Sequence, residues 1–144
     1  MYSRVSKPSL KVPDFLIFAT NSAGIGAYMS VFGSTSVGAN NLTLAVSGCP
    51  PNKAGIMVCG PNATLVPFGN GYRCVDNPFF RLGVVVSDGF GDLAQTLDLS
   101  APPFDTGLGA ASVGAVRKFQ LWYRDPGVGA GFNFSDAASV TFCY

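Results

Sequence analysis

The sequence predicts an all-β fold, an antiparallel β-sandwich of jelly-roll or Greek-key type that is stabilised by disulfides. Three observations predict it. Apolar residues occur in short bursts of Val, Phe, Ile, Leu and Tyr, 18 glycines and 10 prolines separate the bursts, and only 12% of the 144 residues are charged. Short apolar runs between turn residues are typical of strands. The length predicts one domain, over residues 14–144, preceded by an extended arm at residues 1–13.

The predicted strands follow one another along the chain with turn residues between them. They cover residues 15–20, 27–32, 41–47, 55–59, 64–68, 72–75, 79–87, 93–99, 116–125 and 139–144. Gly69-Asn-Gly71 predicts a tight hairpin turn, and Asp88-Gly-Phe-Gly-Asp92 predicts a second hairpin connection. The run 79–87 is apolar enough to predict a central strand, and residues 101–115 predict a long loop.

The composition argues against catalysis. The chain contains neither His nor Glu, so all eight carboxylate side chains are Asp. This removes His-activated nucleophiles and His-based zinc sites, and we expect no enzyme activity, cofactor or metal. The nine Lys and Arg residues are scattered and the net charge is +1, which predicts no nucleic-acid partner. The longest N-terminal apolar run, residues 15–19, is too short for a membrane span.

Four cysteines predict an oxidising compartment. No two of them have the two-residue spacing of a zinc or redox motif. Three disulfide pairings are open, and we favour Cys49–Cys59, across the Pro50-Pro51 turn, together with Cys74–Cys143. The alternative is four free buried thiols in a cytosolic protein. Residues 1–13 lack an apolar run of signal-peptide length, so an exported protein is expected to be a mature form or a fragment.

Several motifs together resemble a known family. They are residues 48–52, 60–62, 66–75, the run Phe119-Gln-Leu-Trp-Tyr-Arg-Asp-Pro126, and residues 131–136 and 140–143. They resemble a β-rich module at the C-terminal ends of large secreted or surface proteins of planctomycetes and similar environmental bacteria. The resemblance covers about residues 41–144 and is most specific in the last 26.

The resemblance implies extracellular or cell-surface placement, and it implies no chemistry, because the family carries no established activity. Cys74 and Cys143 match the family pattern. Cys59 stands where members often have an aromatic residue, so the resemblance implies that Cys49–Cys59 is an optional pair. The chain ends in Phe-Cys-Tyr144 where members commonly end in Phe-Cys-Pro.

Three aromatic residues form a candidate ligand platform. Trp122, Tyr123 and Tyr72 could stack against a sugar, although strand alternation places Trp122 on the face opposite Phe119, Leu121 and Tyr123. The alternative is a core Trp packed against a disulfide.

Two pairs of Asp residues are further candidate sites, and each has a simpler explanation. Asp125 and Asp136 resemble a glycosidase pair but fit a turn residue and a loop cap, and Asp88 and Asp92 fit a turn better than a calcium site.

These observations predict a non-enzymatic extracellular protein with a structural or interaction role, as a surface module or a subunit of an assembly. The polar arm leads into the apolar segment Phe15-Leu16-Ile17-Phe18. Such an arm, with these four residues as the candidate strand-exchange segment, could pair with the open sheet edge of a neighbouring copy and build a filament, which makes self-association the expected partnership. The alternative is a carbohydrate-binding module with a glycan partner.

Overall fold

The computed structural model describes residues 5–6 and 19–144, and in these ranges the chain is all-β with antiparallel sheets, as predicted. The strands are β1 (Val5–Ser6), β2 (Tyr28–Phe32), β3 (Thr43–Ser47), β4 (Ala54–Gly60), β5 (Ala63–Phe68), β6 (Gly71–Val75), β7 (Phe80–Val86), β8 (Leu93–Thr96), β9 (Val116–Arg124) and β10 (Phe132–Thr141). A short 3₁₀ turn, Gly107–Gly109, lies in the predicted long loop. The segment Phe15, Leu16, Ile17 and Phe18 lies outside the described residues.

The strands form three sheets. A five-stranded sheet has the order β1-β10-β9-β4-β7, a three-stranded sheet has the order β2-β3-β8, and β5 pairs with β6. The Gly69–Gly71 turn closes the β5–β6 hairpin as predicted, with Phe68 opposite Gly71. β5 and β6 therefore form a separate unit that can lie against a larger sheet.

One hydrophobic cluster is shared by the two larger sheets. Met29 and Leu44 reach it from the three-stranded sheet, and Phe119, Leu121 and Tyr123 reach it from β9. The alternation predicted for β9 is confirmed, because these three β9 side chains are buried in the cluster. Burying each such large side chain stabilises the fold by about 1.5–3 kcal/mol.

β10 is longer than the predicted strand over residues 139–144, because it begins at Phe132. Its ladder with β9 shifts register between Phe134 and Ala137, which places Ser135 and Asp136 in a bulge. The bulge interrupts the two-residue alternation, and the sequence pattern therefore did not predict a strand there. The predicted role of Asp136 as a loop cap is wrong.

Asp136 joins the two larger sheets. Its backbone N–H donates to the Ala27 carbonyl at 3.2 Å, and its Oδ1 accepts from the Met29 N–H at 2.7 Å. Ala27 and Met29 belong to the chain at the start of β2, whereas Asp136 belongs to β10. One bulged residue thus supplies both a donor and an acceptor to the neighbouring sheet.

β7 is an edge strand and not the predicted central strand. Its apolar run made it look central, but its outward side chains are exposed, including Val84 and Val86. A bulge opposite Met57 divides it, and Gly83 lies in this bulge with a φ of 104°. The predicted hairpin at residues 88–92 is also corrected, since β7 and β8 belong to different sheets and the turn connects them.

The predicted disulfides are not formed, and all four cysteines are free. Cys74 N–H binds Gln120, which faces Ala137, whereas Cys143 lies six residues further along and is bonded beside Thr35. Six extended residues span about 20 Å, far beyond the roughly 4.4–6.8 Å Cα separation of a disulfide.

The other predicted pair is separated in a similar way. Asn21 Nδ2 donates to the Gly48 carbonyl at 2.7 Å and to the Tyr123 hydroxyl at 3.1 Å, so Cys49 follows a residue that is tied to Tyr123. Cys59 faces Phe119, four residues away on β9. That offset amounts to about 13 Å along the strand. A bridge between Cys49 and Cys59 would require the backbone to move.

Candidate interaction surface

The five-stranded sheet has an inner face, which packs on the three-stranded sheet, and an outer face turned away from it. The β5–β6 hairpin covers half of this outer face. Gln120, which is fully buried, holds the hairpin in place. Its Oε1 accepts from the Cys74 N–H at 2.8 Å, and its Nε2 donates to the Tyr72 carbonyl at 2.8 Å and to the Ser135 carbonyl at 2.7 Å. One amide therefore satisfies three backbone groups, two of them fully buried, from β6 and from the β10 bulge.

Apolar contacts complete this cover. Phe68, at the end of β5, lies 5.3 Å from Phe132 in an edge-to-face arrangement and 5.9 Å from Phe134, measured between ring centroids. Cys74 packs with Ala137 in a second small core between the hairpin and β10. Aromatic pairs of this geometry are each worth about 0.5–1.5 kcal/mol beyond the area they bury.

The tip of the hairpin is fastened to the loop between β9 and β10. Asn70 Nδ2 donates to the Val128 carbonyl at 2.8 Å, and its Oδ1 accepts from the Ala130 N–H at 2.8 Å. Gly129 lies beneath this amide, where an added Cβ would come within 2.2 Å of Asn70 Oδ1. The Asn70 amide is thus hydrogen-bonded to the Gly-rich stretch 127–131, and Gly129 leaves the space that this amide occupies.

The other half of the outer face is bare among the described residues. We call Ile56, Val84, Val86 and Trp122 the open face; strand register places them on the same side of β4, β7 and β9. Ile56, Val84 and Trp122 line a shallow groove of about 170 Å³ with Arg124. Val84 is 69% exposed and Val86 is 61% exposed. These exposed apolar side chains make the open face a candidate interaction surface.

The structure does not bring the three residues of the predicted platform together. Trp122 lies half-buried on the open face, with its ring edge-on to Phe132 at 5.8 Å. Tyr123 is buried in the core, where Asn21 Nδ2 donates to its hydroxyl at 3.1 Å, and burial raises its pKa. Tyr72 packs beside Cys74 and Ala137. Of the three, Trp122 is the one that belongs to the open face.

The two acidic candidates bind the backbone. Asp125 is fully buried, and its Oδ2 accepts from the Ser22 N–H at 3.0 Å. Asp136 binds Met29 as described above. Asp88 Oδ1 accepts from the N–H groups of Phe90 and Asp92, which stabilises the carboxylate and holds its pKa below the ordinary value. Within residues 19–144 no group of three or more acidic or Cys side chains could hold a metal ion.

The buried thiols are weakly acidic. Desolvation raises the pKa of Cys49 to about 12, with a further contribution from Asp92. It raises the pKa of Cys59 to about 12 and that of Cys74 to about 11. Thiols with such pKa values stay protonated at neutral pH and are poor nucleophiles.

The N-terminal strand β1 forms one edge of the five-stranded sheet, and β7 forms the other. β1 pairs antiparallel with β10, with Val5 opposite Val140 and Ser6 opposite Ser139. The paired segment is two residues long. The arm predicted over residues 1–13 therefore contributes an edge strand, and the rest of it lies outside the described residues.

Comparison with protein-family models, with curated proteins and with solved structures finds no match to this chain. In the part of the chain that the structure describes, no helix is long and apolar enough to cross a membrane.

The geometry leaves two candidate surfaces. One is the open face together with the β7 edge, and the other is the β1 edge at the opposite end of the strand order.

Proposed function

We propose that this protein is a non-enzymatic structural or interaction protein, a surface module or subunit of an extracellular assembly, whose copies join by exchanging N-terminal strands. The observation that carries the proposal is the pairing of β1 with the edge of β10. A two-residue strand makes few hydrogen bonds, and the same bonds form when the strand comes from another copy. Exchange therefore costs little and joins the two copies.

The proposed architecture is a β-sandwich of the two larger sheets. Support comes from the cluster that β2, β3 and β8 share with β4, β9 and β10. Placement outside the cell rests on the resemblance of residues 41–144 to the surface-protein module. Treating intact source cells with protease tests it, because a surface protein is cleaved while cytoplasmic proteins stay intact.

A pair of single-cysteine changes tests strand exchange directly. Chains carrying Ser6→Cys are unfolded and refolded together with chains carrying Ser139→Cys, and are then oxidised. Because Ser6 and Ser139 are Cα partners, exchange between copies produces a disulfide-linked dimer with one cysteine from each variant. Wild-type chains treated in the same way control for the native thiols.

The outcome separates exchange from closure within one chain. A double variant with both cysteines serves as the matched control, since it forms an internal bridge if β1 pairs within its own chain. If the double variant closes internally and the mixture gives no dimer above the wild-type level, strand exchange is wrong.

Glycan binding is the second candidate, favoured by Trp122. Its ring borders the groove with Arg124, and its Nε1 is buried without a hydrogen-bond partner among the described residues. The exposed part of an indole ring beside a polar side chain can stack on a sugar. Screening Trp122→Ala against wild type on a glycan array tests this, because binding that survives the loss of the ring does not depend on stacking against Trp122.

A further inference from the structure

We propose that the β7 edge is a second self-association site, at which two copies pair their β7 strands antiparallel about a two-fold axis through Val84–Val86. This interface lies at the β7 edge of the sheet, whereas the proposed strand exchange uses the β1 edge, and neither interface depends on the other. Pairing would join two five-stranded sheets into one continuous sheet.

The backbone at the edge is oriented for such pairing. Ser87 N–H donates to the Lys53 carbonyl at 2.9 Å, so Ser87 turns its backbone groups toward the β4 side. Backbone groups in an antiparallel ladder alternate in direction, so Val85 also turns toward β4, whereas Val84 and Val86 turn away from it. No strand of the described ranges lies on that side of β7. Two residues per copy thus offer donors and acceptors to a neighbour.

The chain itself limits the interface to this half of β7. Gln95 Nε2 donates to the Leu82 carbonyl at 2.8 Å, which occupies the edge on the other side of the bulge. Gly83 then bends the strand at the bulge. Natural sheets use capping side chains and bulges to block edges, and here both devices stop before Val84.

The side chains of the open half lack the usual protection of an edge. The strand contains one charged residue, Arg81, and no proline. Val84 lines the apolar groove with Ile56 and Trp122, and Val86 lies on the same face, opposite Ala54 of β4. Pairing two β7 strands would place the valines of each copy beside those of the other and join the two open faces.

The charges at the two ends of the strand favour a second copy as the occupant. With Val84 opposite Val86 of the second copy, the two outward residues form the hydrogen-bonded pairs, and Val85 faces its own symmetry mate. In this register Arg81 of one copy approaches Asp88 of the other, at both ends of the interface. Both side chains are exposed in the single chain. Opposite charges near each other across an antiparallel pair are stabilising.

Sedimentation equilibrium of the full chain over a concentration series tests the interface. We expect wild type to dimerise and Val84→Lys/Val86→Lys to weaken dimerisation at least tenfold, because lysines would face lysines across the pair. Val113→Lys is the matched control, since Val113 is 58% exposed and the N–H of the next residue, Gly114, donates to the Phe142 carbonyl just after β10, at the other end of the strand order from β7. Val84→Thr/Val86→Thr, which keeps β-propensity, should weaken dimerisation less, and circular dichroism checks that each variant is folded.

Cysteine pairing tests the register. Mixing Val84→Cys chains with Val86→Cys chains should give a crosslinked dimer at least several-fold faster than either variant alone. A wild-type chain that stays monomeric up to about 1 mM overturns the proposal. So does a Val84→Lys/Val86→Lys chain that dimerises like Val113→Lys. The Ser6–Ser139 crosslink reports on strand exchange separately, so failure of one interface is distinguishable from failure of the other.

Discussion

β10 and β7 lie on opposite sides of the same five-stranded sheet, yet eight of the ten residues of β10 are buried and none of the seven of β7 is. The difference arises from what covers each strand. β10 has β1 at its edge, the β5–β6 hairpin on its outer face and β2 bonded to its bulge. At the outer edge of β7 the described residues supply one side-chain hydrogen bond, from Gln95 to the Leu82 carbonyl.

The comparison shows how a chain with few charged residues protects one part of a sheet and leaves another available. On the β10 side, buried polar side chains replace ladder bonds where the strand is irregular. On the β7 side, valines and unpaired backbone positions remain at the surface. We therefore expect substitutions on the β10 side to change stability and substitutions at Val84 and Val86 to change association.

The largest effect is expected when the hairpin loses its polar anchor. Gln120→Ala leaves the Cys74 N–H and the carbonyls of Tyr72 and Ser135 buried without their partner, so it should lower the free energy of unfolding by about 3 kcal/mol or more. Urea denaturation measures this. Gln95→Ala is the matched control on the β7 side. It removes the hydrogen bond from Gln95 Nε2 to the Leu82 carbonyl and should cost about 1 kcal/mol or less, and equal losses would contradict the comparison.

The next effect concerns the bond from β10 to the second sheet. Asp136→Ala removes the acceptor of the buried Met29 N–H and should lower the free energy of unfolding by about 2 kcal/mol. Asp136→Asn keeps an oxygen at Oδ1 and should cost clearly less. If the two variants are equally destabilised in urea, the bond to Met29 is not the reason for the loss.

A smaller effect is expected from the backbone of β7. Gly83→Ala forces a side chain into a φ of 104°, although an added Cβ would meet open space, so strain alone should cost about 1–2 kcal/mol. An added Cβ at Gly89 also meets open space, but Gly89 does not have a positive φ. The free energy of unfolding of Gly89→Ala should therefore stay within about 0.5 kcal/mol of wild type. Thermal unfolding of both variants makes the comparison. Equal melting temperatures would show that the bulge is not held by glycine.

The smallest effect is expected at the turn after β7. Hydrogen bonds from Asp92 and Phe90 lower the pKa of Asp88 below its ordinary value. A lowered folded-state pKa means that the carboxylate stabilises the fold above the ordinary pKa, near 4, and that this stability is lost as pH falls through the folded value. NMR titration should give a pKa for Asp88 below 3.8, and Asp88→Asn should reduce the loss of stability in acid slightly. An Asp88 pKa at or above 3.8 contradicts the turn geometry.

The elements that the sequence predicted well are those in which local pattern and tertiary environment agree. The strand expected at residues 116–125 is β9, Val116–Arg124, because Phe119, Leu121 and Tyr123 alternate without interruption toward one core. The hairpin at Gly69–Gly71 was equally predictable, since its glycines permit the turn. The all-β class follows from many such local agreements.

The errors arise where side chains act at long range. The β10 bulge could not be predicted, because its acceptor Asp136 is satisfied by Met29, 107 residues away. Gln120 gave no signal of its own, since a polar residue on the outer side of a strand is usually solvated. The apolar run of β7 resembles a central strand, and its edge position depends on sheet order. The cysteine pairing failed because an even count says nothing about distance.

The bonds that Asp136 makes to the chain at β2 have a consequence for how the molecule opens. Because β10 is hydrogen-bonded to β9 and is also bonded to Ala27 and Met29, the second sheet cannot detach while β10 keeps its full set of bonds. Amide hydrogen exchange should therefore protect β2 and β10 to the same degree, as a single cooperative unit, whereas the amides of Val84 and Val86 should exchange earlier, without global unfolding.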